Sequence, residues 1–158
     1  MSESTERVRA AAAALGFDID ILAMPASTRT AEDAAQACGC SVDRIVKSMI
    51  FEREDTGALL LMLVSGRHQA DLSLVGQTLG TGLKRADPKR VRAETGFAIG
   101  GVAPIGHLTP LECWMDSVLT EFDSVWAAAG TPNAVFEIAP SALAGTDGVR
   151  VIAMTAAP

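Results

Sequence analysis

The chain has 158 residues, with 13 Lys plus Arg against 19 Asp plus Glu and a formal net charge of −6. Hydrophobic residues at 49% and charged residues at 20% suit a globular protein with a buried core and exclude a charge-rich disordered chain. The acidic balance excludes a protein that coats DNA or RNA through attraction to phosphate alone, so a nucleic-acid partner must be met through a local patch.

The length suits one domain over residues 1–158. The longest apolar run, Ala58 to Val64, falls far short of the roughly 18 residues that suggest a membrane span, so no membrane partner is expected. The Ala-rich start follows Glu3 and Glu6 rather than a basic segment, which reads as a helix and not a secretory signal. Cys38, Cys40 and Cys113 are odd in number and cannot all pair, which fits a reduced, cytoplasmic setting. Cys38-Gly39-Cys40 has one intervening residue where zinc pairs have two to four, so no metal is expected there.

In chain order, Arg7 to Leu15 is a helix ended by Gly16, and Phe17 to Met24 is a strand. Pro25 and Ser27-Thr28-Arg29 form a loop. Thr30 with Asp33 then caps a helix from Ala31 to Cys38, and Gly39 ends it. Ile45 to Glu52 and Leu59 to Val64 are strand-like runs on either side of Glu54-Asp55-Thr56-Gly57, a turn sequence that predicts an antiparallel hairpin. Leu72, Leu74, Val75 and Leu79 lie at helical spacing before Gly80, and Pro88 starts a short helix through Glu94. A glycine-rich, nearly uncharged segment follows from Phe97 to Gly106. Leu111 to Val118, Val125 to Ala128 and Val135 to Ile138 are weaker elements, Ala139 to Leu143 is a short helix, and Val149 to Met154 is a final strand. The order lacks the strand-helix-strand rhythm of a doubly wound sheet. An α+β fold with a mixed, mostly antiparallel, barrel-like sheet flanked by helices is expected.

Lys47 is the most informative residue. Ile45, Lys47, Met49 and Phe51 share one face of their strand while Val46, Ser48 and Ile50 share the other, and both faces read as buried. An ammonium there must reach water along its stem, as at a sheet edge, or meet an anionic or polar ligand at the floor of a pocket. Gly100-Gly101-Val102-Ala103-Pro104-Ile105-Gly106-His107 is the second candidate. Its glycines let backbone approach a ligand and Pro104 fixes its shape, although a tight connection between strands explains it equally. No Walker A sequence, dinucleotide fingerprint or nucleophile elbow is present, which removes the warrant for a nucleotide cofactor or a serine hydrolase. His68 is expected in solvent and His107 as a surface residue, while Asp116 and Asp123 are read as caps or turn residues. Lys84, Arg85, Lys89, Arg90 and Arg92 form one basic stretch, either a solvated helix face or a track for a phosphate backbone.

Several of these segments together resemble the YbaK/ProX family, the stand-alone relatives of the editing domain of bacterial prolyl-tRNA synthetase. They are Arg44 to Met49, Leu63-Val64-Ser65-Gly66 through Ala70-Asp71-Leu72, Arg85-Ala86-Asp87-Pro88, and Thr95 through Gly106. The resemblance runs from about Ile21 to Met154. It implies an enzyme that hydrolyses, in trans, the ester between a wrongly attached small amino acid, such as Ala or Cys, and the 3′ end of a tRNA, with tRNA(Pro) the expected carrier. Prolyl-tRNA synthetase is then a candidate partner and no cofactor is called for.

The resemblance also implies roles. Lys47 corresponds to the family's functional lysine, and Gly101, Pro104 and Gly106 to the loop whose backbone lines the aminoacyl pocket, with Gly100, Ile105, His107 and Ser65 as further substrate-binding candidates. Lys84, Arg85, Lys89 and Arg90 would then meet tRNA. Members close to the cysteine-specific branch carry a Ser where this chain reads Ala127-Ala128-Ala129-Gly130 and an acidic residue near Val135, so Ala, Cys or another small amino acid all stay open. A non-catalytic tRNA- or synthetase-binding module with the same fold, and a hydrolase of some other small ester, are the competing readings.

Overall fold

A computed structural model of the protein describes residues 2–24 and 30–155, so the loop expected at Pro25 and Ser27-Thr28-Arg29 lies outside the described residues. Helix α1 spans Glu3–Ala14, with Ser2 as its N-cap accepting from the Thr5 N–H. The strand expected over Phe17 to Met24 shrinks to β1, Ile21–Ala23, because only these residues find a partner strand. Helix α2 covers Ala31–Cys38 as its sequence predicts: the Thr30 hydroxyl accepts from the Asp33 N–H, and Gly39 ends the helix at φ 69°, a conformation open to glycine at little cost.

The predicted hairpin forms from β2, Val46–Arg53, and β3, Leu59–Ser65, paired antiparallel with Lys47 opposite Val64 and Ser48 opposite Leu63. Helix α3, Leu72–Leu79, is capped by the Asp71 carboxylate. A strand with no strong sequence signal, β4, Leu83–Arg85, then adds to the free edge of β2 before helix α4, Pro88–Thr95. The chain continues through β5, Glu112–Asp116; β6, Val125–Ala128; β7, Ala134–Ile138; helix α5, Pro140–Ala144; and β8, Val149–Ile152.

The strands make two sheets, β4-β2-β3-β5-β8 and β1-β7-β6. In the larger sheet β5 pairs parallel with β3 and β8 parallel with β5, while the other pairings in both sheets are antiparallel. The fold is therefore mixed α+β. The two sheets meet at a parallel bridge between Ile45 and Trp126 rather than closing into a barrel among the described residues.

Strand β3 explains the architecture. Every residue from Leu59 to Ser65 is buried, as expected for a central strand covered on both faces, and this is why its sequence is a continuous apolar run. Leu59, Leu61 and Leu63 face the main core with Val8, Met115 and Phe136, between the two sheets and α1. Leu60, Met62 and Val64 face a second core with Val75 of α3 and Met154. Each such side chain contributes about 1.5–3 kcal/mol by leaving water, so β3 fixes both layers at once.

Candidate active site

Where β2 leaves the Ile45–Trp126 bridge and enters the larger sheet, the seam between the sheets opens into a cavity of about 250 Å³. Ala31 and Ala34 of α2, Trp126, Ala127 and Ala128 of β6, and Val135 of β7 form its apolar walls, with Thr30 at the helix end. Strand β2 supplies Lys47 and Ser48, and the glycine-rich segment supplies Gly100 and Val102. A second cavity of about 460 Å³ adjoins the first, sharing Ser48, Met49, Gly100 and Val102 and reaching Arg85, Pro88 and the exposed Ile99.

Lys47 is half-buried, and its Nζ donates to the main-chain carbonyl of His68. That carbonyl belongs to the turn after β3, which is held by one buried carboxylate. Asp116 is 1% exposed, and its Oδ2 accepts from the Ser65 N–H at 3.1 Å and from His68 Nδ1 at 2.8 Å. A carboxylate facing Nδ1 at that distance places the hydrogen on Nδ1. The other oxygen, Oδ1, accepts from the Val118 N–H at 3.3 Å and so also caps the 3₁₀ turn Ser117–Glu121. Burial lowers the pKa of Lys47 below its ordinary value, while the charges of Glu32 and Asp116 oppose that shift. One of the three ammonium donors is taken by the His68 carbonyl, which leaves two for a ligand.

These observations correct the expectation for His68 and extend the one for Asp116, which caps the 3₁₀ turn as expected. His68 lies against the buried Asp116 instead of free in solvent, and Asp116 is more than a cap. His107 turns inward from the surface: its Nε2 donates to the Ala103 carbonyl at 2.7 Å, and its ring meets Phe97 edge-on with centroids 5.9 Å apart. Burial, with a smaller contribution from Arg7, lowers its pKa, and the Ala103 carbonyl works in the opposite direction.

The residues of the glycine-rich segment have separate roles. Gly100 sits at φ 96° with open space where a side chain would stand, and it lines both cavities. Gly101 permits close approach to the β6–β7 connection, since a Cβ there would lie 2.9 Å from Thr131 Cα. Pro104 and Ile105 are buried, and Gly106 packs on α1. Arg7 clamps the segment by donating to the Gly106 carbonyl at 3.1 Å and the Gly96 carbonyl at 2.6 Å, with its guanidinium 4.7 Å from the Phe97 ring centroid. Lys47 and Gly100 thus meet at one cavity, whereas Gly101, Pro104, Ile105, Gly106 and His107 stand behind its wall. Ser65 is fully buried beneath it, donating its hydroxyl to the Asp43 carbonyl at 2.8 Å.

The basic stretch divides. Lys84 pairs with Glu52, and Arg90 with Glu52 and Glu94, so their charges are largely met. Arg85 borders the second cavity, and it and Lys89 are exposed. Trp126 and Ala34 as cavity residues, and the link between Asp116 and the Lys47 contact, carry no signature in the sequence. No local pattern marks a wall assembled from β2, α2 and β6.

The chain is similar to known proteins in sequence and in fold. Residues 25–145 match the aminoacyl-tRNA editing domain. The chain is 33% identical over 124 residues to the uncharacterized protein YwhH of Bacillus subtilis (strain 168), with 78% of each covered. It is 24% identical over 115 residues to the "Putative Cys-tRNA(Pro)/Cys-tRNA(Cys) deacylase EbsC" of Enterococcus faecalis (strain ATCC 700802 / V583), covering 72% of this chain and 70% of that protein. A solved structure of a "putative trans-editing enzyme for prolyl tRNA synthetase" superposes with a TM-score of 0.91 at 44% identity, covering 99% of both chains. The fold is thus that of a domain that edits aminoacyl-tRNA. The chain belongs to the aminoacyl-tRNA editing domain family, in agreement with the resemblance to YbaK and ProX. No helix among the described residues is long and apolar enough to cross a membrane.

Proposed function

We propose that the protein is a trans-acting deacylase in the cytoplasm that removes a small, wrongly attached amino acid, alanine foremost, from the 3′ end of tRNA(Pro). The carrying observation is the 250 Å³ cavity with its Ala34, Ala127, Ala128 and Val135 walls. It lies below the roughly 300–1,000 Å³ of common ligand clefts and offers a small aliphatic side chain apolar contact. A synthetase pocket shaped for proline cannot strongly reject a smaller side chain, because a missing methylene is worth only about 1–3 kcal/mol, so a second, smaller sieve has work to do. Ala and Val at the positions where the cysteine-specific branch carries polar groups favour alanine over cysteine.

The aminoacyl group occupies the smaller cavity and the terminal nucleoside the larger one, with the ester between them. Water attacks the ester carbonyl carbon, because the described lining of the smaller cavity includes no His, Cys or carboxylate that would serve as nucleophile or its base. Lys47 directs its two remaining donors at the terminal phosphate or the ester region and compensates the charge that grows there. Arg85 and Lys89 meet the acceptor stem. The test is a deacylation panel over tRNA charged with Ala, Cys or Ser: wild-type protein releases alanine fastest, and Lys47→Ala releases none while keeping its fold. Failure of the wild type on every charged tRNA would support a binding module instead.

A further inference from the structure

Ser48 is the one side chain among the described residues with a buried polar atom that has no hydrogen-bond partner. Its position makes this unexpected. Strand β2 sends it to the face of Val46 and Ile50, which pack in the main core, so an apolar side chain would be the stable choice there. A buried hydroxyl left unpaired in a folded protein calls for a specific reason, and a ligand that supplies the missing partner is one.

The surroundings indicate which ligand. Ser48, Met49, Gly100 and Val102 form the wall shared by the two cavities. Of these four, Ser48 alone has a polar side chain. If the amino acid fills one cavity and the nucleoside the other, the ester joining them passes this wall.

We propose that Ser48 Oγ donates a hydrogen bond to the ester carbonyl oxygen of the bound aminoacyl nucleoside, an inference that rests on the deacylase reading. As water adds to the carbonyl carbon, the carbonyl π electrons move onto that oxygen and the bond strengthens with the growing negative charge. Collapse of the adduct restores the carbonyl and breaks the bond to the ribose oxygen. That oxygen takes up the proton the water gives up, leaving a free amino acid and a free ribose hydroxyl. Lys47 and Ser48, consecutive on β2, both line the smaller cavity and both act on the substrate there.

The test compares wild type, Ser48→Ala and Ser48→Thr for kcat and KM on Ala-tRNA(Pro), for Tm, and for binding of 3′-deoxy-3′-alanylamino-adenosine, whose amide is not hydrolysed. Ser48→Ala is expected to lower kcat about 100-fold, with KM changed less than about fivefold, because the bond matters most in the transition state. Its Tm stays level or rises, since an unpaired buried hydroxyl has been removed. Ser48→Thr keeps the donor and retains turnover within about tenfold of wild type. Unchanged turnover in Ser48→Ala overturns the assignment, and so does a fall in Tm that accompanies lost turnover and that Thr does not restore. If the effect of Ser48→Ala vanishes on tRNA ending in 2′-deoxyadenosine, the partner is the ribose hydroxyl and the carbonyl assignment fails. If wild type hydrolyses no charged tRNA, the deacylase reading fails and the binding arm decides: analogue binding weakened about two- to fivefold in Ser48→Ala upholds the ground-state hydrogen bond, and equal binding rejects it.

Discussion

Asp116→Ala is the sharpest stability test of how the site is held. The carboxylate is 1% exposed and bonds to the Ser65 N–H, His68 Nδ1 and the Val118 N–H. Removing it strands the N–H of the fully buried Ser65, at about 1–3 kcal/mol, and deletes a bond to a charged acceptor worth about 1.5–3 kcal/mol. The contact to Val118 is long at 3.3 Å and adds little. Because these groups share one carboxylate their losses overlap, and a total of about 3–5 kcal/mol is expected from urea unfolding with an unchanged m-value. His68→Ala loses only the bond at the more exposed end, about 1–2 kcal/mol. The Asp116→Ala/His68→Ala cycle should show coupling of about 1–2 kcal/mol, because the two residues act as a pair. A loss below about 1 kcal/mol for Asp116→Ala, or additivity within about 0.3 kcal/mol, would refute the reading that this carboxylate fixes the turn carrying the Lys47 contact.

Three further outcomes follow from the geometry. His107 has a lowered folded-state pKa, so near its ordinary value of 6.5 the unfolded chain takes up a proton that the folded chain refuses. The stability it permits is whole above that value and declines as pH falls toward the folded pKa. The advantage of wild type over His107→Gln should therefore shrink between about pH 7 and pH 5 in unfolding titrations, and a constant or growing gap would contradict this. Gly101→Ala places a Cβ 2.9 Å from Thr131 Cα and 3.0 Å from its carbonyl carbon, which should cost about 1–3 kcal/mol; an unchanged urea midpoint would show that this approach is not tight. Neutralising Arg85 and Lys89 together should raise KM for charged tRNA and reduce its log–log salt slope by about 1–2, and an unchanged slope would remove this stretch from the RNA path.

Features governed by neighbours in the chain were legible in the sequence. The Thr30/Asp33 cap and Gly39 bound α2, and the polar turn Glu54 to Gly57 set the β2–β3 hairpin. Lys47 stood out because an ammonium inside an apolar strand demands a partner. Features that depend on distant pairings were not legible. Strand β4 forms because Leu83 to Arg85 finds the edge of β2, and the parallel pairs β3–β5 and β5–β8 leave no turn signature. The contact between His68 and Asp116 spans 48 residues, so His68 read as solvent-exposed in its local context. Ser48 looked like one residue on a buried face, and its place in the wall shared by two cavities emerges only when Gly100 and Val102 are set beside it. The glycine-rich segment was recognisable as a unit, but its division into Gly100 at the cavity and Gly101 and Gly106 against neighbouring backbone is tertiary information.

The proposed activity is hydrolysis of the ester of a small aminoacyl-tRNA with Lys47 at the reacting end. The most direct measurement is the initial rate of alanine release from Ala-tRNA(Pro) by wild type and by Lys47→Ala, with Pro-tRNA(Pro) as the correctly charged control and circular dichroism to confirm folding. Rapid release of alanine by wild type, little release of proline, and loss of activity in a folded Lys47→Ala protein is the predicted result. Equal rates for the two proteins, or no release of alanine above the spontaneous rate, would contradict it.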